Sequence, residues 1–226
     1  MSLKKWVIQS FQNYLLINKG GRIKMKQFIF IILFLLSSQI QAKEIMAQQT
    51  EIAFFAGGCF WCMEGPFDKL NGVKSTVSGY IGGHKKNPTY KQVSVGSTGH
   101  TEAIRVIYDP SKVSYQTLLN TFWHNIDPTV KNRQFCDAGS QYRSGIFYLN
   151  PQQKMLAEQS KKSITSDFLK GKKIVTEITQ ATQFYPAEDY HQNYYTKNPA
   201  RYSWYRYGCG RDARLEKIWG KPLAGH

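Results

Sequence analysis

Apolar and polar residues follow one another along this chain with changing period, and the periods predict a mixed order of strands and helices. Residues 51–56 (EIAFFA) form a short aromatic-rich run that stops at Gly57-Gly58, the pattern of a buried strand entering a tight turn. Residues 59–70 carry no breaker other than Gly65-Pro66, which predicts a helix opening at or near Cys59. Residues 73–80 and 101–108 (TEAIRVIY) alternate in period two and can pair across the polar stretch between them. Leu118, Leu119, Phe122 and Trp123 fall at helical spacing within 114–125, with Ser114 available as the N-cap. Residues 146–149 make a brief strand, Asn150-Pro151 opens a polar helix reaching about residue 169, and 173–179 places Ile174, Thr176 and Ile178 on one face of a further strand.

The order strand, helix, strand, strand, helix, strand, with a helix and strand appended, predicts an α+β fold. Its expected form is a two-layer sandwich of the ferredoxin-like (split βαβ) kind. From residue 181 the chain is dominated by Tyr, Gly, Pro and charge, with one short candidate helix at 188–197. That composition predicts a long ordered C-terminal coil wrapped around the domain, and a coil of that length inside a compact domain is usually functional or mobile.

Charge changes this picture little. The 226 residues carry a formal net charge of +15, but six of the 30 bases lie before residue 43, where there are no acids. The remaining 24 bases and 15 acids are scattered rather than gathered in one stripe, which argues against a nucleic-acid groove. A basic start at Met25-Lys26, an apolar run over 28–36 and the small residue Ala42 have the pattern of a secretory signal peptide over 25–42, cleaved after Ala42. The chain is then expected to be exported to a periplasm or beyond, or membrane-anchored if the segment is kept. Residues 1–24 fit neither a signal nor a domain and are read as an extension ahead of a true start at Met25, which leaves a single domain over 43–226 with its core at about 51–215.

An exported chain meets oxidising surroundings, in which Cys59, Cys62, Cys136 and Cys209 could be two structural disulfides of a basic binding module. Cys59 follows a strand and a glycine turn and is expected at a helix N-terminus, where unsatisfied N–H groups favour a thiolate. From Cys-x-x-Cys spacing alone, a nucleophile, a redox pair and half of a zinc site have about equal standing. Zinc loses ground because Cys136, Cys209 and the histidines are dispersed, and a thioredoxin-like redox pair because the strand order lacks the parallel βαβ expected after the motif.

Five blocks in fixed order then carry a resemblance: Gly57-Gly58-Cys59-Phe60-Trp61; Ser78-Gly79-Tyr80 with Gly82-Gly83; Gly99-His100-Thr101-Glu102-Ala103; Asp137-Ala138-Gly139-Ser140-Gln141-Tyr142-Arg143-Ser144; and Tyr185-Pro186-Ala187-Glu188-Asp189-Tyr190-His191-Gln192. The set resembles the A-type peptide methionine sulfoxide reductases over about residues 51–215. The resemblance implies reduction of the S epimer of methionine sulfoxide, free or within proteins. It makes Cys59 the nucleophile that becomes a sulfenic acid, and Glu102 the general acid. It further implies Tyr80 and Tyr142 as the phenols that hold the sulfoxide oxygen, Asp137 as their support, and Phe60 and Trp61 as the wall for the substrate methyl group.

A second thiol must clear the sulfenic acid. Cys209 on its glycine-flanked tail is the first candidate, with Cys62 and Cys136 behind it. His191 lies in a block near the site, with a hydrogen-bonded structural role equally open. The expected enzyme binds no cofactor or metal, takes electrons from an external dithiol of thioredoxin type, and is monomeric. The alternatives are an exported dithiol-disulfide oxidoreductase acting through Cys59 and Cys62, and the disulfide-stapled binding module.

Overall fold

The structure, a computed structural model, describes residues 50–169 and 171–220. The proposed extension 1–24 and signal 25–42 lie outside the described residues. The elements that organise the domain are β1 (Glu51–Gly57), α1 (Trp61–Asp68), β2 (Val73–Ile81), α2 (Tyr90–Ser94), β3 (Thr101–Tyr108), α3 (Tyr115–His124), the short pair β4 (Arg133–Gln134) and β5 (Asp137–Ala138), β6 (Ser144–Tyr148) and α4 (Pro151–Asp167). After them come β7 (Glu177–Gln180), β8 (Tyr185–Pro186), α5 (Tyr194–Lys197), α6 (Pro199–Gly208) and α7 (Arg211–Trp219).

Six strands form one mixed sheet in the order β7-β6-β1-β3-β2-β8. The pairs β1·β3, β1·β6, β2·β3 and β2·β8 are antiparallel, and β6·β7 is parallel. β1 lies inside this sheet with both faces covered, which is why its sequence reads as a continuous apolar run rather than an alternation. Phe55 faces the helices and stacks within 5.2 Å of Phe67 on α1 and 5.3 Å of Phe122 on α3. Phe54 faces the other way, 5.2 Å from Phe184, in a smaller cluster with Ile81, Ala103 and Phe147. Burying aromatic side chains of this size on both faces is worth roughly 1.5–3 kcal/mol each.

Local signals set the helix limits. Ser114 Oγ accepts the Thr117 N–H at the start of α3, and Asn150 Oδ1 accepts the Gln153 N–H ahead of Pro151 at the start of α4. The Trp123 indole, fully buried on α3, donates to Ser160 Oγ at 3.0 Å and ties α3 to α4.

The first helix begins near Cys59, as expected, at Trp61, and runs through Pro66 to Asp68. Two expectations are corrected. The strand expected at 173–179 is shorter and occupies Glu177–Gln180. Above all, the C-terminal region is not a coil but holds α5, α6 and α7. Periodicity missed α6 because it buries none of its residues, so no apolar stripe exists to be read. Pro199 in its first turn and Gly210, left-handed at φ 63° between α6 and α7, are the signals that mark its ends.

Candidate active site

Cys59 hangs from the end of the central strand. Gly58 makes the turn at φ 80°, and a side chain there would also collide with Gln134. The Phe60 N–H donates to Glu102 Oε2 at 3.1 Å, which fastens the cysteine turn to β3. Cys59, Phe60, Trp61, Tyr90, Glu102, Asp137, Tyr142 and Tyr205 together line a cavity of about 80 Å³. A larger cavity, about 360 Å³, lies beside Gly65, Tyr195, Tyr202 and Trp219 with no cysteine in its lining, and another of about 330 Å³ lies beside Cys209, Phe135 and Arg214.

Glu102 is 2% exposed, and burial pushes its carboxyl up to about 8, aided by the negative charge of Asp137 and Cys62 and opposed by the Phe60 N–H. At neutral pH it therefore carries a proton that it can give. Burial also raises Asp137, against the lowering effect of the Tyr205 hydroxyl, which donates to Asp137 Oδ2 at 2.5 Å, and of Arg211.

The two thiols of the motif share one proton network. Burial pushes the Cys59 thiol well up, reinforced by its hydrogen bond to Cys62 and by Glu102 and Asp137. Cys62 is lowered, chiefly because it accepts that hydrogen bond, and Arg211 and Arg206 add to the effect against its own burial. Cys59 stands two residues ahead of Trp61, the first residue of α1, in the pocket it shares with Glu102, Asp137 and Tyr142. The same geometry leaves Cys59 outside the rigid turns of α1, in contact with Cys62.

Cys209 is not a free thiol on a tail: it caps the C-terminus of α6 and is bridged to Cys136, with Cα atoms 4.9 Å apart. Cys59 and Cys62 are the free cysteines.

The aromatic wall is placed as expected, and its supports are visible. Trp61 stacks on Tyr194 at 3.7 Å with rings 7° from parallel, donates from its indole to His191 Nδ1 at 3.0 Å, and meets Tyr205 edge-on at 5.9 Å. Phe60 packs 5.0 Å from His191. His191 is buried and its pKa is lowered by that burial, so it serves as the neutral acceptor that orients Trp61.

Tyr142 reaches the cavity from the turn Ser140–Tyr142. Tyr80 does not: it is fully buried on β2, and its hydroxyl donates to Glu188 Oε2 at 2.8 Å. The second phenol of the cavity is Tyr90, at the start of α2, whose N–H donates to Glu188 Oε1 at 2.8 Å. Glu188 therefore links the two tyrosines, with Tyr80 behind and Tyr90 in front. Burial raises the Tyr90 phenol to about 12 and that of Tyr142 further still, so both remain hydrogen-bond donors at any working pH.

Tyr90, Glu188, Tyr205 and Arg211 were not picked out from the sequence as site residues. Thr89-x-x-Gln92 was the available signal for Tyr90, since the Thr89 N–H donates to Gln92 Oε1 at 3.1 Å as in a capping box. Arg211 is 1% exposed and donates to the carbonyls of Gly57 and Asn125, linking α7 to the strand end that carries Cys59.

Residues 51–223 match the family model of peptide methionine sulfoxide reductase. The chain is 50% identical over 175 residues to the peptide methionine sulfoxide reductase MsrA of Bacillus subtilis (strain 168), spanning 77% of this chain and 99% of that one. It is 48% identical over 176 residues to the MsrA of Bacillus licheniformis, with 78% and 97% covered. Among solved structures it is similar to methionine sulfoxide reductase A of Corynebacterium diphtheriae, with 36% identity, a TM-score of 0.61, and 67% of this chain and 76% of that one covered. It is also similar to reduced Mxr1 of Saccharomyces cerevisiae, with 32% identity, a TM-score of 0.64, and 67% and 87% covered. A buried cysteine beside a protonated carboxyl, in a chain that follows the two Bacillus relatives over nearly their whole length, identifies an enzyme: the chain belongs to the A-type peptide methionine sulfoxide reductases.

Proposed function

We propose that the cavity reduces the S epimer of methionine sulfoxide, free or within a polypeptide, through a sulfenic acid on Cys59. The observation that carries this reading is the meeting of Cys59 and a protonated Glu102 in one cavity of about 80 Å³. The substrate methyl group packs against Phe60 and Trp61, and the sulfoxide oxygen lies toward Glu102, Tyr90 and Tyr142. Cys59 attacks the sulfur as its own proton passes to the neighbouring Cys62, while the oxygen takes up the proton of Glu102. Methionine leaves, and Cys59 retains the oxygen as a sulfenic acid.

The thiol in contact with Cys59 is Cys62, and in the bridged state of Cys136 and Cys209 we assign the resolving step to it. Its sulfur displaces water from the sulfenic acid to form a Cys59–Cys62 disulfide. An external dithiol, of which thioredoxin is the type, then returns both thiols and leaves as its own disulfide. No bound cofactor enters this cycle, and the residues assigned to it all lie in one copy of the chain.

The same contact between Cys59 and Cys62 favours a second reading, a general dithiol-disulfide oxidoreductase. Turnover of each sulfoxide epimer with dithiothreitol, set beside insulin-disulfide reduction, separates the two. Activity on the S epimer that disappears in Cys59→Ser supports the first reading, and disulfide reduction without sulfoxide turnover overturns it.

We further read the antiparallel strands β6-β1-β3-β2 and helices α1 and α3 as the split βαβ core, and residues 25–42 as directing export. The Cys136–Cys209 bridge accords with an oxidising compartment. N-terminal sequencing of the protein recovered outside the cytoplasm tests the export reading, and retention of residues 25–42 in a soluble product refutes it.

A further inference from the structure

We propose that the Cys136–Cys209 disulfide is a positioning device for the first chemical step: it holds Tyr205 over Asp137 in the Cys59 cavity, and opening the bridge turns that step down. The inference rests on the reading of this cavity as the site of sulfoxide reduction.

Each cysteine of the bridge adjoins one of two cavity residues that touch each other. Cys136 immediately precedes Asp137 on the β4–β5 hairpin, and Cys209 lies one helical turn past Tyr205, its N–H donating to the Tyr205 carbonyl at 2.9 Å. Between them the Tyr205 hydroxyl donates to Asp137 at 2.5 Å. Bridge and hydrogen bond thus join the same helix to the same hairpin in parallel.

Little else fixes that helix from the cavity side. α6 buries none of its residues, and Trp204 and Tyr207 are 82% and 88% exposed. Its other ties include the edge of Tyr205 on Trp61 at 5.9 Å, the edge contact of Tyr202 with Tyr195 on α5 at 6.2 Å, and the ion pair of Arg206 with Asp212, which joins α6 to α7 and not to the sheet. With the bridge open, Tyr205 is held over Asp137 by one hydrogen bond at the surface of a helix without a core face. A shift of about 1 Å in a group that shapes a reacting site can cost about 100-fold in rate.

The bridge is also reachable, because Cys136 is exposed. A dithiol opens it in two exchanges. One thiolate attacks a bridge sulfur, the S–S bond breaks, and a mixed disulfide forms. The second thiol of the reductant then displaces the protein sulfur. Two electrons and two protons pass to Cys136 and Cys209, and the reductant leaves as its disulfide. A disulfide oxidant reverses the exchange. The bridged form is the competent one, so the enzyme works best where disulfides persist.

First-turnover release of methionine from the S sulfoxide, measured before any external reductant acts, tests this. Wild-type protein with Cys59 and Cys62 reduced and the Cys136–Cys209 bridge verified by mass is compared with Cys136→Ser/Cys209→Ser, Tyr205→Phe and the triple variant. We expect first turnover about tenfold slower in the double variant. We also expect a similar loss in Tyr205→Phe, with no further loss when the two changes are combined. Wild-type first turnover in the double variant overturns the proposal. So does normal first turnover with loss of later turnovers, which would make Cys209 a recycling thiol. If the double variant does not fold, wild-type protein opened with a phosphine and verified by mass takes its place, under the same criteria. Cys59→Ser is the control: if it retains first turnover, the reading of the cavity fails, whereas loss there with no effect of the bridge defeats this inference alone.

Discussion

The backbone N–H of Phe60 donates to Glu102 at 3.1 Å, so the residue after Cys59 is held by the carboxyl that we propose as its acid. In the proposed reaction the other carboxyl oxygen is left for the substrate.

Because Glu102 must be protonated to act and its carboxyl is raised to about 8, the rate should fall as pH rises through that region. The stability consequence has the opposite origin. The unfolded chain ionises this group near 4.5, so from there to about 8 the buried neutral acid progressively disfavours folding. Glu102→Gln should lower kcat by about 100-fold or more, remove the alkaline limb of the profile, and leave the fold unchanged. Steady-state profiles on S sulfoxide check this, and an alkaline limb that survives in Glu102→Gln belongs to another group.

Tyr90 and Tyr80 should separate cleanly. Tyr90→Phe removes a donor from the cavity and should lower kcat/KM by about 100-fold. Tyr80→Phe unpairs Glu188 on the far side, costing roughly 1.5–3 kcal/mol of stability with a smaller effect on rate. Urea unfolding and kinetics on both variants decide the assignment.

Cys62→Ser should still release one equivalent of methionine per enzyme, because the attacking sulfur is Cys59. Without a small thiol to clear it, the sulfenic acid should then accumulate and be trapped by a dimedone-type reagent. A Cys62→Ser variant that turns over at the wild-type rate with a thioredoxin-like reductant would move the resolving role elsewhere.

Arg211→Met should raise the Cys62 thiol, since Arg211 is the largest of the charges that lower it. Thiolate ultraviolet absorbance followed against pH should show the titration shifted upward. The variant should also lose stability, because Gly57 and Asn125 lose the donor that satisfies their carbonyls.

Much of the sheet could be read from the sequence, since β1 is a short apolar run stopped by Gly57-Gly58 and β3 alternates in period two. The Ser114 and Asn150 caps announced α3 and α4 in the same way. What escaped was structure held by polar side chains. α6 is fixed through a tyrosine hydroxyl and a disulfide, and neither leaves a hydrophobic period. The site divided along the same line. Cys59, Glu102, Asp137, Tyr142, Phe60 and Trp61 came from ordered motifs and meet in one cavity. Tyr80 lay in such a motif too, yet only the fold reveals that the stretch between β2 and β3 turns back and sets Tyr90 in front of it.

The central strand that carries Cys59 has further meaning for what the enzyme can accept. β1 is hydrogen-bonded on both edges and buried on both faces, so its amides should exchange with solvent among the slowest in the chain, while those of α6 should exchange early. One side of the proposed cleft is thereby an anvil, whereas the facing helix owes its place to the Cys136–Cys209 bridge rather than to a core of its own.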